Sequence, residues 1–230
     1  MQIIDSGLEN GFQGLSAGAG SKIIRSIRLA ALLLGLFGLV WTNNAYSASK
    51  SILVLGDSLS AEYGLARGSG WVALLQQRLK QEKLDASTTN ASISGETTSG
   101  GKTRLPALLQ QHPDIVIIEL GANDALRGLQ LKATEDNLRG MIDAAQKAKA
   151  KVLLVGMRIP PNYGRDYTEK FFALYGTLAK QTKVSLVPFL LAGVPDKPEM
   201  FQADRIHPVA QAHPIILDNV WSGLKPLLTK

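Results

Sequence analysis

The stretch Ile115-Val116-Ile117-Ile118, inside the segment Asp114–Leu120, constrains the fold more than any other. Its consecutive β-branched apolar residues leave a strand without a polar face, so both faces must be covered. Strands of this kind belong to parallel sheets with helices on both sides. The chain after residue 50 supplies the partners. Ile52–Leu55, Ala86–Ile93, Lys151–Gly156 and Val184–Val187 read as four further strands. Helical patterns alternate with them. Trp71, Leu75 and Leu79 recur at i, i+4 and i+8, which predicts a helix over Trp71–Glu82. A second helix spans about Gly101 to Gln111. Leu138, Met141, Ile142 and Ala145 mark a third, and Phe171, Tyr175 and Leu178 a fourth. Pro214 suits the start of a last helix, with Leu217, Val220, Trp221 and Leu224 as its apolar stripe. The expected fold is α/β: a three-layer sandwich around a central five-stranded parallel sheet, joined by right-handed crossovers.

A chain of 230 residues with 45% apolar content can bury one core, so residues 48–230 are expected to form a single domain. The absence of cysteine excludes disulfides, thiolate metal sites and a cysteine nucleophile. The formal charge of +6 is spread along the chain, with no basic run interleaved with aromatics, so no nucleic-acid partner is expected. Residues 1–47 read as a cleaved export signal. Lys22, Arg25 and Arg28 precede the uncharged apolar run Leu29–Trp41, and Ala45-Tyr46-Ser47 supplies small residues for a signal peptidase. Cleavage is expected after Ser47, with Ala48 and Ser49 as alternatives. The apolar run is shorter than the roughly 20 residues a membrane span needs. A periplasmic or secreted protein follows, with no stable membrane span. Residues 1–21 are Gly-rich and carry Asp5 and Glu9, unusual in a signal, which leaves a later start open.

Polar groups cluster where the expected strands end. Gly56-Asp57-Ser58 closes the first strand, Ser94-Gly95-Glu96 the second and Gly121-Ala122-Asn123-Asp124 the third; Asp204-Arg205-Ile206-His207-Pro208 lies near the C-terminus. In a parallel sheet the C-terminal ends of all strands share one edge, where open α/β folds bind ligands. Gly56, lacking a Cβ, allows a sharp turn before Ser58.

That set, in that order, resembles the SGNH (GDSL) hydrolase family, whose four name-giving residues match Ser58, Gly95, Asn123 and His207. NASISGETTSGG, LPALLQQHPDIVIIELGANDALRG and PPNYGRDYTEKFFALY are similar to its bacterial periplasmic thioesterase and lysophospholipase branch. The resemblance covers about Ser51 to Leu228 and implies a flavodoxin-like fold. Ala122 and Arg205 depart from it, each standing where many members carry glycine.

The chemistry follows from the residue types. A serine hydroxyl needs a base to become a nucleophile. Of the three histidines, His112 and His213 precede prolines at helix boundaries, where capping or surface roles are expected. His207 has Asp204 three residues before it, so a tight turn can point the carboxylate at one ring nitrogen while the other faces Ser58. The backbone N–H groups of Ser58 and Gly95 and the side-chain amide of Asn123 are the expected oxyanion donors. Asp57 and Asp124 are expected to brace loops. The resemblance further implies an apolar acyl pocket of Leu126, Met157, Ile159, Pro160, Tyr163 and Ile206. No metal and no cofactor is required, and a monomer acting on small acyl esters or thioesters is expected. A carbohydrate O-acetyl esterase on the same fold is the alternative. Glu96–Thr103 nearly fits a phosphate loop, and Ile115–Glu119 could pass for a strand holding Mg²⁺, but Glu96 replaces the first glycine and would repel phosphate.

Overall fold

Five strands form one parallel sheet in the order β2-β1-β3-β4-β5 in a computed structural model that describes residues 49–229. They are β1 (Lys50–Gly56), β2 (Ala86–Asn90), β3 (Ile115–Glu119), β4 (Lys151–Val155) and β5 (Ser185–Val187). The export segment expected over residues 1–47 lies outside the described residues.

The all-apolar run does what its composition demands. β3 is the central strand, paired in parallel with β1 through Ile52–Ile115 and with β4 through Ile115–Lys151, and every one of its residues is buried. The polar strand β2, ASTTN, takes an edge. β2 stops at Asn90, short of the expected Ile93. The chain beyond it leaves regular pairing but still follows β1, with Ala91 N–H on Val54 O and Ile93 N–H on Gly56 O.

Helices cover both faces. α1 (Trp71–Gln81) and α6 (His213–Leu228) pack together on one side, while α2 (Thr98–Leu109), α4 (Leu131–Lys147) and α5 (Arg165–Thr182) form the other layer. α1 buries Trp71, Val72, Leu75 and Leu79, the stripe its spacing predicts. A fully buried aliphatic side chain of this kind contributes about 1.5–3 kcal/mol. α3 (Ala122–Leu126) is a short helix with no periodic signal in the sequence. α2 starts at Thr98, earlier than the expected Gly101. The Thr97 hydroxyl accepts from Gly100 N–H, and the buried Asp124 carboxylate accepts the Thr98 N–H and hydroxyl. An acceptor and a negative charge at a helix N-terminus both favour that start.

His213 corrects an expectation. Instead of lying at the surface it is 2% exposed, and its Nδ1 accepts the Trp71 N–H at 3.0 Å. Gly70 gives α1 no side-chain cap, so a histidine far along the chain supplies the acceptor for one of the free N–H groups of that helix. Burial holds its pKa below the ordinary histidine value, against the opposing Glu62 charge and the Pro208 carbonyl.

Candidate active site

The loops leaving the C-terminal ends of β1 and β3 bring the Asn123 side chain onto Asp57, the residue before Ser58, because those strands are neighbours in the sheet. The long connection after β5 adds Asp204 and His207. Ser58 Oγ lies 2.8 Å from His207 Nε2, and His207 Nδ1 lies 2.6 Å from Asp204 Oδ2. The other carboxylate oxygen, Oδ1, accepts the N–H groups of Ile206 and His207. Asp204 is thereby tied to the backbone and the ring of the residue it faces. Its slight burial raises its pKa, but the N–H groups of His207 and Ile206 outweigh that and hold it at about 2. An ionised carboxylate can only accept, so Nδ1 carries the ring proton and Nε2 is left to accept from the Ser58 hydroxyl. Tyr63 packs against the imidazole with ring centroids 4.4 Å apart.

Beneath the serine lies a buried carboxyl pair. Asp57 Oδ1 accepts the Leu59 N–H, and Asp57 Oδ2 accepts from Asn123 Nδ2 at 3.1 Å. The same amide donates to the Glu96 carbonyl at 3.0 Å. Glu119, the last residue of β3, accepts the Ser60 hydroxyl at 2.7 Å, and Ser60 Oγ in turn accepts the Trp71 indole N–H. Burial pushes the Asp57 pKa up to about 6, against the Leu59 N–H, the His207 charge and the Asn123 amide. Burial and then the Asp57 charge push Glu119 well above the usual carboxylate range. Gly56 owes its place to this pair. A Cβ there would stand 2.7 Å from Ser60 Oγ and 2.8 Å from Glu119 Oε2, so close approach, more than turn freedom, demands glycine.

Gly95 sits exposed in the β2–α2 loop with φ +79°, a left-handed backbone that favours glycine, and its carbonyl accepts from Arg127. Arg205 holds φ +60°, so an arginine occupies a left-handed position beside His207. Asp124 braces α2, as described. The near-match to a phosphate loop is helical from Thr98 onward, and Glu96 is ion-paired with Arg104, which leaves no loop to cradle phosphate.

A cleft of 1590 Å³ opens beside Ser58 and His207. Leu126, Met157, Ile159, Pro160 and Ile206 line it together with Phe189, Leu191 and Phe201. Tyr163 stands outside that lining, on the 3₁₀ turn Pro161–Tyr163. Sequence reading missed Tyr63 and the placement of Glu119 beneath the serine loop. The second had a signal: a carboxylate closing an otherwise apolar strand.

Residues 54–215 match the GDSL-like Lipase/Acylhydrolase family, and the chain belongs to it. It is 50% identical over 200 residues to the Esterase TesA of Pseudomonas aeruginosa, covering 86% of this chain and 99% of that protein. To the "Thioesterase 1/protease 1/lysophospholipase L1" of Escherichia coli it is 45% identical over 183 residues, covering 79% of this chain and 86% of that protein. The crystal structure of the psychrotrophic esterase EstA from Pseudoalteromonas sp., inhibited by monoethylphosphonate, superposes with a TM-score of 0.75 at 41% identity, over 79% of this chain and 100% of that one. The chain is an ester-hydrolysing enzyme of the SGNH type acting on small ester substrates. No helix among the described residues is long and apolar enough to cross a membrane.

Proposed function

We propose that this enzyme is an exported hydrolase of carboxylic esters and thioesters that works through an acyl-serine intermediate. The observation that carries the reading is the unbroken line Ser58 Oγ, His207 Nε2, His207 Nδ1, Asp204 Oδ2, opening into an apolar cleft. Ser58 attacks the acyl carbonyl as His207 takes its proton. His207 then protonates the leaving alcohol or thiol. Water repeats the sequence on the acyl-enzyme, and Asp204 keeps the ring in the required tautomer. Ser58 N–H, Gly95 N–H and the Asn123 amide stabilise the oxyanion. The names of the relatives, thioesterase and lysophospholipase among them, and the phosphonate inhibition of EstA fit this chemistry. Residues 1–47 act as the removed export signal, residues 48–230 are the single mature domain, and the enzyme works as a monomer without cofactor or nucleic acid.

The test is Ser58→Ala with p-nitrophenyl and acyl-thioester substrates. The variant is expected to stay folded, because a serine at the sheet rim contributes little to the core, and to lose nearly all activity. A serine-directed phosphonate is expected to label the wild type at Ser58 alone. Retention of most activity by Ser58→Ala would reject the reading.

A further inference from the structure

Asp204 and His207 sit on a small hairpin. Gln202 N–H donates to the His207 carbonyl at 2.8 Å and Val209 N–H to the Met200 carbonyl at 2.8 Å, with Phe201 and Pro208 opposed in an antiparallel bridge. Residues 203–206 make the turn, and Asp204 within it holds the imidazole. Acid and base therefore form one unit. Ser58 belongs to a different loop, and the 2.8 Å bond between Ser58 Oγ and His207 Nε2 links the two.

Gln202 supplies a second link. Its half-buried side-chain amide donates to the Tyr63 carbonyl at 2.9 Å and to the Pro208 carbonyl at 3.1 Å. Both neighbours are carbonyl oxygens, so the amide nitrogen must face them and both of its hydrogens are used. Tyr63 carries the link onward. Its N–H donates to the Ser58 carbonyl at 3.4 Å, and its ring lies on the imidazole. The backbone beside it is in close approach: at Gly64, with φ +70°, a Cβ would stand 2.1 Å from Gln202 Oε1. Serine loop and histidine hairpin are thus joined by bonds that do not involve the reacting atoms.

We propose that Gln202 is a positioning residue whose task falls in the second half of the reaction, where it holds His207 in place once Ser58 is acylated. The inference rests on the acyl-serine reading. In the free enzyme the Ser58 hydroxyl helps to hold the ring. In the acyl-enzyme that oxygen is esterified and has no hydrogen to give. His207 Nε2 must then stay where it can take a proton from the attacking water, and such a step depends on fixed geometry. The links through Gln202 and Tyr63 do not change on acylation. Their loss therefore slows deacylation more than acylation.

Gln202→Met tests this, because it keeps the length of the side chain and removes both donors. With p-nitrophenyl butyrate, kcat/KM reports acylation and kcat the slower of the two steps. The variant is expected to lose about tenfold or more in kcat and less than about threefold in kcat/KM, so that KM falls as well. A burst of p-nitrophenol and a butyryl group on Ser58, seen by mass spectrometry after acid quench, are expected to exceed the wild-type level. Damage to the cleft or the fold would act otherwise, raising KM and leaving no burst. Rates are taken per Ser58 titrated with a phosphonate, so unfolded chains do not count, and Gln202→Glu, of the same shape with no donor, gives a second reading. Equal falls in kcat and kcat/KM, or an unchanged kcat in both variants, would overturn the proposal. Absence of acyl-Ser58 from wild type and variants alike, with Ser58→Ala active, would reject the acyl-serine reading and this inference with it.

Discussion

The Asn123 side-chain amide is held between the Asp57 carboxylate, at 3.1 Å, and the Glu96 carbonyl, at 3.0 Å, so both of its hydrogens are engaged. In the proposed mechanism an oxyanion forming beside Ser58 takes a share of one, and the neutral Glu96 carbonyl yields it more readily than a carboxylate. That bond strengthens only in the transition state, so it acts on kcat more than on binding. Asn123→Ala is expected to lower kcat by about 10²–10³ with little change in KM. Asn123→Asp is expected to be at least as damaging, because it sets a second carboxylate against Asp57 and beside the forming oxyanion. Steady-state kinetics with circular dichroism decide the point; an active Asn123→Asp enzyme would remove Asn123 from the set.

Asp204→Asn separates orientation from packing. Its side-chain oxygen can still accept the Ile206 and His207 N–H groups, but its NH₂ would face His207 Nδ1. That favours the tautomer with the proton on Nε2, pointing at Ser58. The loss in kcat is expected to reach about 10⁴, with the fold intact, as for the equivalent change in serine proteases. Stability gives a second measure. A carboxylate held at about 2 stabilises the fold fully above its ordinary value of 3.8, and that contribution is lost as pH falls through about 2. The gap in Tm between wild type and Asp204→Ala should therefore be constant from about pH 5 to 8 and close between about pH 4 and 2.

The buried carboxyls act in the opposite sense. Asp57, at about 6, and Glu119 both hold protons in the fold that the unfolded chain releases. Stability therefore falls as pH rises, from 3.8 to about 6 for Asp57 and from 4.5 upward for Glu119. Glu119→Gln keeps an acceptor for the Ser60 hydroxyl and removes the charge. Its Tm relative to wild type is expected to be more favourable at pH 8 than at pH 4.5. An equal change at both pH values, followed by calorimetry, would mean that the Glu119 charge places no burden on the fold.

The cleft predicts an acyl preference. With Leu126, Met157, Ile159 and Phe189 on its walls, kcat/KM should rise along a p-nitrophenyl series beyond acetyl. The gain is up to about fourfold per CH₂ until the cleft is filled, since a buried CH₂ contributes about 0.8 kcal/mol. A maximum at acetyl would favour the carbohydrate O-acetyl esterase reading.

The strands were legible because β3 and β1 are buried on both faces and must read as apolar runs. Ser58, Asn123 and His207 were legible because each closes or follows such a run or lies beside a spaced acid. What escaped depends on distant partners. Nothing near His213 in sequence announces the Trp71 N–H it accepts. Gly56 reads as a turn residue, yet its neighbours Ser60 and Glu119 are what exclude a side chain. The short helix α3 has too few turns for a period to show, and Tyr163 is apolar and well placed in sequence but stands outside the cleft lining.

The hydrogen bond between Ser58 and His207 spans 149 residues of chain. A growing polypeptide completes the serine and its strand early and receives the imidazole near its end, six residues before α6 begins. α6 packs on α1 and on the strands β4 and β5, so the segment that carries His207 is anchored by the last helix made. On the proposed mechanism the earlier part of the chain holds a hydroxyl with no base. On that mechanism, hydrolytic activity would therefore be withheld until the C-terminal helix has docked.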